Sequence, residues 1–137
     1  MQYFRDAAEL VQLFEIDTRK PAVADFILLC DLYGLMSRFP QYSVTVSDLA
    51  VMAMRERKLS PKVFWSRMKR AIRPLLEADA ETLRALGVPC GYITEDHART
   101  CPEMIAEVGA AAGVGLELSG EQVEIATTIA ELLGHAK

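Results

Sequence analysis

The 137-residue sequence predicts an all-α fold, a compact bundle of six to seven helices containing a helix-turn-helix. Two observations carry that expectation, and one segment stands outside it. Apolar residues recur at helical spacing along nearly the whole chain. Helix-start signals, a capping residue or a proline suited to a first turn, stand before most of those runs. One segment, VPCGYIT (88–94), departs from the pattern and reads as a loop or a short strand. The 51% apolar and 25% charged composition suits one globular unit over 1–137, with an appended helix in 113–137.

Taken in order, Leu10, Val11, Leu13 and Phe14 give a first helix over about 4–16 its apolar face. IDTRKP follows as a loop. Pro21 opens a second helix, because its missing N–H has no partner to lose in a first turn, and Pro40 closes that helix near Arg38. A third helix starts at Thr45 or Ser47 and runs towards Arg57. Ser60 caps a fourth, with Pro61 at its first position and Pro74 ending or kinking it. ADAETLRALG (78–87) is a short fifth helix that stops at Gly87. Thr100 with Glu103, and Ser119 with Gln122, have the spacing of capping boxes and open helices near 101–112 and 120–133.

Charge is divided unevenly along the chain. Residues 1–54 carry a net −3, residues 55–73 a net +7 and residues 74–137 a net −8. In the middle stretch eight cations stand against Glu56 alone, so the net −4 of the whole chain hides a concentrated positive segment. On a helical wheel Phe64, Met68, Ala71, Ile72 and Leu75 share one arc, with Trp65 and Leu76 at its margin. Lys62, Ser66, Lys69 and Arg73 lie opposite, with Arg70 beside them and Arg67 on the flank. Arg55, Arg57 and Lys58 arrive at the connection just before.

A helix basic on its outer face, joined by a tight turn to the one before, suits duplex DNA. Lys and Arg gain affinity there by releasing condensed counterions, and the arginine fork can take two atoms of a guanine edge. The same face would also serve as a solvated surface, pair with the chain's own acids, or meet an acidic protein.

The octapeptide SRMKRAIR (66–73) resembles the recognition-helix run Ser-Arg-Val-Glu-Arg-Ala-Ile-Arg of the C-terminal DNA-binding effector domain of the sporulation stage-zero response regulator. Ser66, Arg67, Arg70, Ala71, Ile72 and Arg73 match it. PAVADFILLCDLY (21–33), SDLA (47–50) and TCPEMIAEVG (100–109) are similar to further segments of that domain in the same order. The resemblance covers about 10–112. It implies a six-helix domain that binds promoter DNA in the major groove, often in pairs, with base and phosphate contacts on Arg67, Lys69, Arg70 and Arg73. Lys69 replaces an acid of the family and Pro74 a histidine, so a different DNA sequence is expected to be read. No receiver domain, and so no control by phosphorylation of that type, is expected.

The expected function is therefore a transcriptional regulator that binds double-stranded DNA through Arg55, Arg57, Lys58, Lys62, Ser66, Arg67, Lys69, Arg70 and Arg73. The alternative is a protein-interaction module of the same fold that binds an acidic partner or dimerises. In the appended helix, Val123, Ala126, Ile129, Ala130 and Leu133 either pack on the core or form a dimer surface.

Little else in the sequence points to chemistry. His97 and His135 stand alone. Cys30, Cys90 and Cys101 form an odd set without a disulfide framework, and Cys90, His97 and Cys101 match no standard zinc spacing. GAAAGVG (109–115) follows a helix rather than a strand and lacks the lysine of a phosphate loop. No enzyme activity, cofactor, metal or small-molecule substrate is expected. No secretory signal or membrane-length apolar run is visible, and a cytoplasmic location is expected.

Overall fold

The computed structural model describes residues 4, 6–90, 99–112 and 118–134; among them the chain forms eight α-helices and no strand. Helix α1 spans Ala7–Leu13, shorter at both ends than the apolar pattern suggests. Asp6 fixes its start by accepting a 2.9 Å hydrogen bond from the Glu9 amide, and Glu15 turns the chain away with φ of 57°. Phe4 lies outside the helix yet is buried in the core.

Helix α2, Pro21–Met36, is apolar nearly all round, and it packs against α1 and four later helices. A single 3-10 turn, Pro40–Tyr42, realises the break at FPQYS. Helix α3 spans Val46–Arg57 and opens on a capping box not foreseen in the sequence, Thr45 with Asp48. Lys58 ends it in the left-handed region, with φ of 56°, and the Leu59 amide bonds back to the Met54 carbonyl at 3.0 Å. Ser60 caps helix α4, Pro61–Ala71, so three residues separate the two helices.

The predicted fourth helix divides in two, which accounts for an eighth helix. Ile72 leaves helical geometry (φ −107°, ψ 19°), and helix α5, Arg73–Glu77, begins beyond it. Pro74 is the cause. Continued from α4, its ring would collide with the carbonyl four residues back, whereas in the first turn of a new helix it displaces nothing.

Helix α6, Ala80–Leu86, is capped by Asp79 and ended by Gly87 at φ of 105°. Val88–Cys90 has no regular structure, and the rest of VPCGYIT lies outside the described residues. Helix α7, Cys101–Ala112, starts at the expected Thr100–Glu103 box, and α8, Gly120–Leu132, at the expected Ser119–Gln122 box.

The core is one contiguous cluster running from Phe4 to Ile129. Its axis is the crossing of α2 and α7, where Gly34 meets Gly109 backbone to backbone. A Cβ added at Gly34 would sit 2.5 Å from the Gly109 oxygen, and one at Gly109 would sit 2.6 Å from the Cys30 oxygen. Only glycine fits such an approach. Helix α8 packs against α2 with Ala126, Ile129 and Ala130 buried, while Val123, grouped with them in the sequence, stays 41% exposed. No helix of the described residues is long and apolar enough to cross a membrane.

Candidate nucleic-acid interface

Helix α4 is held down by one stripe. Phe64 and Met68 are buried, as are Ile72 and Leu75 just beyond the helix, and Trp65 is half-buried with its ring edge-on to Phe64 at 5.1 Å between centroids. Against that stripe the sequence sets Lys62, Ser66, Arg67, Lys69 and Arg70, and all five are exposed. Arg73 is exposed too, but it belongs to α5 rather than to the predicted recognition helix. Arg55, Arg57 and Lys58 are exposed at the α3 end of the turn. The nine residues singled out in the sequence therefore lie along the surface of α3, its turn, α4 and the start of α5.

They are not equivalent. Arg57 engages Asp25 of α2: its Nε–H donates to Oδ2 at 3.1 Å and to Oδ1 at 3.2 Å, and its Nη2–H donates to Oδ1 at 3.0 Å. Asp25 is only 7% exposed, so this carboxylate depends on the arginine for compensation. The hydrogen bonds, and then the charge of Asp25, raise the Arg57 pKa above its ordinary value. The sequence treats Arg57 as a phosphate contact; in the fold its fork faces the protein.

Arg55, Lys58, Lys62, Arg67, Lys69, Arg70 and Arg73, by contrast, form no ion pair or side-chain hydrogen bond with any described residue. Arg67 stands apart for a different reason. It lines a cleft of about 210 Å³ together with Pro21, Asp25, Arg57, Leu59 and Phe64, which puts it on the α2 side of α4. Lys69 lies towards α7, close enough for its charge to favour the thiolate of buried Cys101.

The start of α4 rests on Ser60, whose Oγ accepts from the Val63 amide at a long 3.4 Å. Past its other end, Arg99 braces α5: its Nη1 donates to the Leu76 carbonyl at 3.1 Å and to the Ala78 carbonyl. Neither the Asp25–Arg57 pair nor the Arg99 brace has a signal in the sequence, since each joins residues more than twenty positions apart.

The three cysteines are all buried. His97 and His135 lie outside the described residues, and among those described no group of three His, Cys, Asp or Glu is placed to hold a metal ion. Comparison with family models, with curated proteins and with solved structures finds no match to this chain.

Proposed function

We propose that this protein is a DNA-binding transcriptional regulator, with α3 and α4 as its helix-turn-helix and α4 as the helix that enters the major groove. The observation that carries the reading is the row of exposed cations Lys62, Arg67, Lys69 and Arg70, unpaired with any described carboxylate and mounted on α4, whose other face is buried, with Arg73 following at the start of α5. A three-residue connection with a left-handed Lys58 and a capping Ser60 is the kind of turn that joins such helices. Lys62 and Ser66 occupy the N-terminal half of α4, the part that reaches base edges in this mode of docking. Lys69 and Arg70 follow along the same helix, and Arg55 and Lys58 are set to neutralise phosphates beside the groove.

Selection of bound duplexes from a random pool, followed by affinity measurements on the enriched site, tests this reading. Arg70→Ala is expected to weaken that site by about 1–3 kcal/mol and to relax the preference at one base pair. A failure to enrich any sequence, together with retention that does not weaken as salt rises, overturns it. A second reading, a protein-interaction module of the same fold, has one observation in its favour: α8 leaves the large apolar side chains Val123, Ile125 and Leu132 exposed, Leu132 by 68%. Self-association that proceeds without DNA and is abolished by Leu132→Glu would support it.

A further inference from the structure

We propose that Asp25 is a positioning residue of the candidate interface: it ties the α3–α4 turn to α2 through Arg57 and withdraws that arginine's charge from the surface offered to a polyanion. The inference rests on the DNA-binding reading above and assigns the parts of its surface differently from the sequence, which gave Arg57 and Lys58 the same task.

Arg57 is the last residue of α3, and Lys58 makes the left-handed turn immediately after it. Whatever fixes the Arg57 side chain therefore fixes the point from which α4 departs. The Leu59 amide closes the turn internally on Met54, but that bond lies within the turn and sets no orientation towards the rest of the fold. Three hydrogen bonds from the Arg57 fork to a carboxylate on the central helix supply that orientation. Phe64 and Met68 supply the apolar half of the anchorage, and the cleft between the two anchors is partly open rather than packed solid.

The electrostatic consequence is separate. A guanidinium bonded through two nitrogens to a buried carboxylate presents little net charge to a third group. Counterion release counts phosphates neutralised, so Arg57 should contribute nothing to it, while Lys58 one residue later should contribute fully. A positioning tie and a phosphate contact thus make different predictions for the same substitution. Loss of a tie lowers affinity equally at all salt concentrations. Loss of a contact also flattens the salt dependence.

The test uses the whole chain and a short random-sequence duplex, with affinity followed between about 50 and 200 mM salt. Arg57→Gln is compared with Lys58→Gln and with the double variant Asp25→Asn/Arg57→Gln, which exchanges the pair for neutral groups of similar shape and so remains usable if the single variant fails to fold. Lys58→Gln should reduce the slope of log affinity against log salt by about 0.9. The double variant should keep the parent slope while losing affinity about fivefold throughout, the effect of a turn set slightly wrong, whereas Arg57→Gln alone also leaves the Asp25 carboxylate uncompensated and should lose more. A slope reduced in the double variant as much as in Lys58→Gln would make Arg57 a contact and overturn the proposal, as would unaltered affinity. A parent chain that shows no salt-dependent retention removes the DNA-binding reading itself, and the positioning role with it.

Discussion

Replacing Gly109 with alanine tests the packing on which the whole bundle is centred. The new Cβ would lie 2.6 Å from the Cys30 carbonyl oxygen and 3.2 Å from the Gly34 nitrogen, both of them backbone atoms of α2. Neither can rotate away as a side chain would. Ordinary contact begins at 3.4 Å, so relief requires α2 and α7 to part by nearly an ångström. A gap of that size forfeits about a quarter to a half of the dispersion energy of each contact it opens. Buried Met104, Ile105 and Val108 on α7 stand to lose such contacts in the shared core.

Overpacking of this kind costs about 3 kcal/mol at the upper end of its usual range, and alanine returns about 1 kcal/mol in helix propensity. The net expectation is a loss of about 2 kcal/mol, read as a midpoint about 6 °C lower in thermal unfolding followed by circular dichroism. In urea the midpoint should fall with the slope unchanged. Gly120→Ala is the control, because nothing lies within 4 Å of a Cβ there, and it should match or exceed the parent. Gly34→Ala with Gly109→Ala should cost less than the two apart, since both press on one crossing. A Gly109→Ala protein as stable as the parent would refute the close approach and, with it, the reason α2 and α7 form the axis of the fold.

Two further outcomes follow from the structure. Arg99→Ala removes donors to two carbonyls at the end of α5, Leu76 and Ala78, and should cost about 1–2 kcal/mol in urea unfolding; a negligible change would show that the brace is not needed. Burial pushes the Cys101 thiol up to about 11, with Lys69 pulling weakly the other way, and burial also pushes Cys30 well up. A thiol pKa raised by folding gives stability that is fully present below the unfolded value near 9 and is lost as pH rises towards 11. Thiol labelling at about pH 8 should therefore be slow for all three buried cysteines until the chain unfolds, and unfolding should become easier across that alkaline window; rapid labelling of the native protein would contradict their burial.

What the sequence disclosed and what it withheld divide along the range of the interactions. Caps act over three residues. Ser60, Thr100 and Ser119 therefore mark the starts of α4, α7 and α8 in the sequence itself, and Pro21 does the same for α2. Periodicity identifies the buried stripe of α4 because Phe64, Met68 and Ile72 repeat at helical spacing against a charged background. It serves poorly at α1, where the apolar residues run past both ends and a turn geometry at Glu15 cuts the helix short. Pairings between distant segments leave no periodic trace. Asp25 reads as one of two acids in an apolar helix, Gly109 as a weak spot near a helix end, and Arg99 as one more surface cation. Only the fold reveals that each answers a specific group elsewhere.

The same division bears on how the acidic majority of the chain coexists with the basic segment. From sequence, the simplest way to neutralise residues 55–73 is to lay the −8 of the C-terminal part against them. Among the described residues that does not occur. The carboxylate that does pair with the segment is Asp25, which lies N-terminal to it on the central helix, and it pairs with the arginine at the turn rather than with any cation of α4. Helix α8, which carries Glu121, Glu124 and Glu131, packs against α2 instead. On the DNA-binding reading proposed above, a duplex would approach along α4, away from the carboxylates of α8. On that reading, substituting Glu121, Glu124 and Glu131 together with glutamine should speed association with duplex at low salt while leaving the choice of sequence to α4. A change in the preferred sequence would place α8 within the contact surface rather than behind it.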